Sequence, residues 1–151
     1  MRWSEIGGQD CSVARTLSVV GERWTMLILR ESFRGTRRFE DFQERTGAAR
    51  PVLSERLRSL CDDGVLERRP YSNHPDRFEY RLTAKGLDLY PVIVSLLRWG
   101  DRWMDEGNGP PMVLRHRDCG AVMVPELACP ACGAAVGARD VEVVTSAPAV
   151  A

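Results

Sequence analysis

Apolar positions first fall into a helical rhythm at Val13, Leu17 and Val20, which Gly21 interrupts before a second such run, WTMLILRESF. Both runs predict scaffold helices. In GTRRFEDFQERTG, Phe39 and Phe42 mark the inner face of a short third helix that Gly47 closes. The next stretch, AARPVLSERLRSLCDDG, predicts a helix from about Pro51 to Asp63, with proline in its first turn and Gly64 at a left-handed stop. On a helical wheel Leu53, Leu57, Leu60 and Cys61 share the core face, which leaves Val52, Glu55, Arg58 and Ser59 opposite, with Arg50 and Ser54 near the entry. Two short helices around the three-residue turn GAA, the second with a polar free face, match a helix-turn-helix.

The stretch RRPYSNHPDRFEYRLTAKG then changes period. ERRPY and RFEYRLT read as strands joined by a tip of Ser72, Asn73, His74, Pro75 and Asp76. A basic hairpin alone is more often a solvated hairpin on an enzyme; directly after a recognition helix it reads as a wing. Arg77 is then the candidate for minor-groove insertion, Arg68 or Arg69 for phosphate contact, and Asn73 and His74 for hydrogen bonds near the tip. The last long pattern, TAKGLDLYPVIVSLLRWGDRWM, opens on a Thr83 cap and carries Leu87, Tyr90, Val94, Leu96 and Leu97, more apolar surface than a lone surface helix needs. A kink is expected at Pro91. Such a helix either pairs with its counterpart or folds back on its own domain.

Composition narrows these readings. With 151 residues, 44% of them apolar, the chain can bury one ordinary core plus an appendage. The formal net charge is zero, which speaks against a general polyanion binder. Of the 21 basic residues only Lys85 is lysine; arginine's planar fork suits phosphate and guanine edges, although a GC-rich coding bias gives the same skew. No run approaches the roughly 18 to 20 apolar residues that cross a bilayer, and MRWSEIGGQDC lacks the layout of a secretory signal, so a cytoplasmic location is expected.

After the break GNGPP the tail holds His116, Cys119, Cys129 and Cys132 as an H-x2-C and a C-x2-C pair, a set suited to one structural, tetrahedral zinc. Gly120 and Gly133 follow a ligand cysteine in each pair and allow the backbone to turn toward sulfur. The alternatives are a Cys129–Cys132 disulfide and an unstructured tail. Cys61 reads as a small core residue, whereas Cys11 precedes a helix whose N-terminal dipole favours thiolate. Neither His74 nor His116 has a nucleophile and acidic orienter at recognisable spacing, so catalysis is not expected.

From Cys11 to Trp103 the chain resembles the HxlR-type winged-helix regulators, relatives of the MarR group. The matching segments are CSVARTLSVVGERWTMLILRES, GTRRFEDFQERTGAARPVLSERLRSLCDDGVLERRPYSNHPDRFEYRLTAKG and VIVSLLRWGDRW. The resemblance implies a mainly α (α+β) fold: a winged helix-turn-helix with a two-stranded wing and a long C-terminal dimerisation helix, here followed by a small zinc-ribbon-like hairpin. It implies a bacterial homodimer on a palindromic double-stranded DNA operator that represses or activates a nearby promoter, repression being the expected output; whether a small molecule or oxidant acts as effector is left open. By motif position Arg50, Ser54 and Arg56 fall on the major-groove helix and Arg77 on the wing, to which helix geometry adds Val52, Glu55 and Arg58. Arg38, at the entry to the helix pair, and Arg69 complete the candidate contacts. Some relatives sense oxidants or electrophiles through an N-terminal cysteine, which makes Cys11 a redox-switch candidate, although Ser12 stands where proline often follows it. The tail also departs from the minimal family pattern. The domain plan is 11–106 for DNA binding and dimerisation, 107–113 as linker, 114–143 as zinc module and 144–151 as an unstructured end. A protein-interaction adaptor that reads no DNA is the other class to be tested.

Overall fold

The structure, a computed structural model, describes residues 3–71 and 77–144. It divides into two compact units that meet between Val94 and Ser95.

The first unit opens with a short 3-10 helix, Trp3–Gly8, followed by α1 (Ser12–Val20) and α2 (Arg23–Phe33). Glu22 caps α2, its carboxylate accepting from the backbone N–H of Trp24 at 2.8 Å and Thr25 at 3.2 Å. α3 (Phe39–Thr46) ends at Gly47, whose φ of 72° is the left-handed conformation that glycine adopts without penalty. Only residues 47–49 separate it from α4 (Arg50–Asp62), so the helix-turn-helix expected from the sequence is present within a residue of its predicted bounds. Pro51 sits in the first turn of α4, where a missing N–H costs nothing.

Leu53, Leu57 and Leu60 are each essentially inaccessible and meet Phe42 of α3 and Ile28 and Leu29 of α2 in one core. Val65 and Leu66 carry that core into the hairpin. There β1 (Leu66–Pro70) pairs antiparallel with β2 (Phe78–Leu82) in the register Leu66–Leu82, Arg68–Tyr80 and Pro70–Phe78. The residues just before α3 join the outer side of this ribbon: Arg38 bridges Glu79, and the Tyr80 N–H donates to the Arg37 carbonyl at 2.8 Å. The wing and the helix pair are therefore hydrogen-bonded to one another.

The long helix expected after the wing is two helices. α5 (Ala84–Leu87) is capped by Thr83, whose hydroxyl accepts from the Gly86 N–H at 3.1 Å, and α6 (Tyr90–Trp103) follows. The break falls at Asp88 and Leu89, ahead of Pro91, which lies in the first turn of α6 instead of kinking a continuous helix. Packing explains the interruption. Gly86 lies so close to the β1 entry that an added Cβ would stand 2.2 Å from the Val65 carbonyl oxygen, and that oxygen already accepts the Thr83 N–H. α5 is thus held to the hairpin, and the chain needs a turn to leave in a new direction.

The second unit contains the rest of α6 and a hairpin of β3 (Leu114–Arg115) with β4 (Val122–Met123), paired Leu114–Met123 and Arg115–Val122. Among the described residues no helix is long and apolar enough to cross a membrane. Of the 144–151 tail, residues 145–151 lie outside the described part.

Candidate nucleic-acid interface

One concave surface of about 840 Å³ collects the N-terminal ends of α3 and α4 and the face of the wing. Arg38, Arg50, Arg68 and Arg77 line it together with Ser54. Three of these arginines are seated on aromatic rings: Arg38 over Tyr71 at 4.8 Å, Arg50 over Phe39 at 4.7 Å and Arg68 over Phe78 at 3.6 Å. A guanidinium stacked on a ring face keeps its in-plane N–H donors available, which is the geometry that binds a phosphate or a base edge. Among the described residues none of the four is in a salt bridge, in contrast to Arg56, paired with Glu55, and Arg69, paired with Glu67. Glu40 and Asp41 at the start of α3 lie on the same surface and temper its charge.

Strand alternation decides between Arg68 and Arg69. Successive side chains point to opposite faces, so Arg68 shares the concave side with Phe78 and Tyr80, while Arg69 pairs with Glu67 on the other. Arg68 is therefore the β1 residue on this surface. Farther along α4, Glu55 and Arg58 are exposed and Val52 half-buried, none of them within the concavity. Asn73 and His74 lie outside the described residues.

A buried carboxylate underpins the arrangement and gave no signal in the hydrophobic pattern beyond an acid inside an apolar run. Glu31 of α2 is wholly inaccessible, yet it accepts from Arg30 at 2.9 Å and Arg34 at 3.0 Å, lies 3.8 Å from Arg45 of α3, and meets the Thr36 hydroxyl at 3.4 Å. It fastens the scaffold helix to both ends of the segment that delivers α3. Cys61, half-buried on the inner side of α4, has its thiol pushed up by burial and by Asp62, against an opposing pull from Arg68. Burial thus favours its thiol over the thiolate.

A family model described as HxlR-like helix-turn-helix matches residues 19–108, the stretch that contains this surface. The chain belongs to the HxlR-like helix-turn-helix family. It is similar to an uncharacterised HTH-type transcriptional regulator of Mycobacterium tuberculosis, 51% identical over 86% of this chain and 82% of the relative. An uncharacterised HTH-type regulator of Bacillus subtilis, YdeP, is 34% identical over 64% of this chain and 77% of its own. Among solved structures, PA1607, described as a candidate transcription factor, matches with a TM-score of 0.83 at 33% identity and covers 96% of this chain and all of its own. The redox regulator HypR in its reduced form gives 0.57 at 30% identity, covering 61% of this chain and 92% of its own. The protein is accordingly a transcriptional regulator of the HxlR-like type, and the winged helix-turn-helix read from the sequence is its fold.

Two further expectations concern cysteine. Cys11 is exposed and occupies the N-cap position of α1, as expected, with no side-chain capping hydrogen bond. In the second unit His116 Nδ1 lies 3.3 Å from Cys119 Sγ. Cys129 is held below the ordinary thiol range by hydrogen bonds, foremost from the backbone N–H of Cys132, then from that of Ala131 and the Cys132 side chain. The structure brings the four tail residues together as two pairs; among the described residues it gathers no three ligating side chains into one group.

Proposed function

We propose that the protein is a homodimeric, sequence-specific DNA-binding repressor that reads a palindromic operator. The observation that carries this is the concave surface on which four arginines, none in a salt bridge among the described residues and three of them stacked, converge from the entry of α3, the N-terminus of α4 and the wing. Arg50 and Ser54 approach the major groove at the start of the recognition helix, where a base edge is reachable, with Glu55, Arg56, Arg58 and Val52 following along α4. Arg38 and Arg68 hold phosphate, and Arg77, at the base of the wing tip, enters the minor groove. The zero net charge is compatible with this because four arginines gather on one concave surface against two acids, Glu40 and Asp41; local charge, not the sum over the chain, faces a bound polyanion.

Dimerisation is supported by α6. Val92, Leu96, Trp99 and Trp103 recur at alternating spacings of four and three residues, and all four are exposed, Trp103 at 63%. An uncovered stripe of that period is a seam for a second helix. On α1 Val13 and Leu17 are likewise exposed. A second copy of the chain supplies matching apolar surface by symmetry, and two recognition helices then read half-sites roughly 10 base pairs apart.

Mobility shift with DNA from upstream of the protein's own gene tests the reading. Saturable, sequence-selective shifts support it; shifts indifferent to sequence favour an adaptor that does not read DNA. A thiol-based response is a second reading, favoured by the exposed Cys11 at a helix N-cap and by the likeness to HypR. Oxidant-induced release from DNA that persists in Cys11→Ser excludes Cys11 as the switch.

A further inference from the structure

We propose that the C-terminal unit is a zinc site made by His116, Cys119, Cys129 and Cys132, in which one ion joins two copies of the same chelating turn. The repeat is visible in the sequence as H-R-D-C-G-A at 116–121 and C-P-A-C-G-A at 129–134. The backbone shows that it is a structural repeat. In the first turn the His116 N–H donates to the Ala121 carbonyl and the Gly120 N–H to the His116 carbonyl, both at 2.9 Å. In the second the Cys129 N–H donates to the Ala134 carbonyl and the Gly133 N–H to the Cys129 carbonyl, both at 2.8 Å. Gly120 and Gly133 hold φ of 70° and 73° at the equivalent step.

The flanks repeat too. Arg115 pairs with Val122 before and after the first turn, and Ala128 with Ala135 around the second. Two hairpins in one register, each ending in a pair of ligating side chains three residues apart, are the two halves of a tetrahedral site.

Each half is already closed on itself. The imidazole of His116 stands 3.3 Å from the Cys119 sulfur, and in the second turn the Cys129 N–H and carbonyl are both bonded within the turn itself. Three sulfurs and one imidazole select a thiophilic divalent ion over calcium or magnesium, and four protein ligands leave no position for a reacting water.

The unit has reason to need the ion. Val124 and Leu127, which lead into the second turn, are 70% and 67% exposed, so among the described residues no apolar core holds that turn. The first hairpin is better anchored: Leu114 and Val122 share an apolar recess of about 350 Å³ with Leu97 of α6, and Arg98 reaches Glu126 at 3.4 Å. Metal binding would supply the missing folding energy for the outer turn.

The test is metal content of the full chain purified without chelator, by emission spectrometry, with cobalt titration of the metal-stripped protein followed by absorption. We expect about one zinc per chain and, with cobalt, the charge-transfer and ligand-field bands of a tetrahedral thiolate site. Cys129→Ser with Cys132→Ser, and separately His116→Ala, should lose the zinc and the bands, whereas Cys11→Ser and Cys61→Ser should keep both. Zinc near zero in the parent with every thiol reactive, a Cys129–Cys132 disulfide in its place, or undiminished metal in the double variant would each overturn the proposal. Because the readout is metal and not DNA, it succeeds or fails independently of the operator reading.

Discussion

A single buried carboxylate, Glu31, holds the helix pair in place without lining the concave surface. Its two oxygens gather arginines from α2, from the loop after it and from α3, which places α3, and through the residue 47–49 turn α4, at a fixed angle to the scaffold. Removing its charge leaves three guanidiniums about half exposed, so water can replace part of what is lost and the penalty stays below that of an abandoned buried charge. Glu31→Gln should lower stability by about 1–3 kcal/mol in urea unfolding. It should also weaken operator binding more than that loss explains at temperatures where the variant is folded. The acid was legible only as an anomaly in an apolar run. By contrast Phe42, Leu53, Leu57 and Leu60 were read correctly as core, because helical period alone decides which side chains share a face.

Among the elements, the wing and the recognition helix act as one cationic surface because Arg38 bridges to Glu79 and brings the entry of α3 beside β2. Charge placement here has a measurable consequence. Each arginine that neutralises a phosphate releases counterions, so Arg68→Ala and Arg77→Ala should each reduce the slope of log affinity against log salt by about 1. Arg50→Ala should relax sequence preference at one base pair of each half-site, and Arg69→Ala, removed from that face and paired with Glu67, should change little. Equal salt slopes for parent and Arg77→Ala would take Arg77 off the contact surface. The hairpin, the short turn and the Thr83 cap were all legible from local chemistry. The split between α5 and α6 was not, since it depends on Gly86 meeting the Val65 carbonyl from far along the chain.

At the scale of the whole molecule the open question is the partner of α6. If its exposed stripe is the dimer seam, Leu96→Asp with Trp99→Asp should convert the protein from dimer to monomer in sedimentation velocity and reduce operator affinity at least tenfold, with the core of the first unit still folded. A dimer that survives both changes would exclude the stripe as the seam. Periodicity, turn residues and ligand spacing, all local properties of the chain, determined by themselves the helix-turn-helix, the wing, the core leucines and the duplicated chelating pairs. Only the tertiary structure decided that Arg68 and not Arg69 faces the concavity, that aromatic rings seat three of its arginines, that Glu31 ties the scaffold to α3, and that the last helix breaks before Pro91. The physical reason is that these outcomes depend on contacts between residues distant in sequence, whose distances and directions no local pattern encodes.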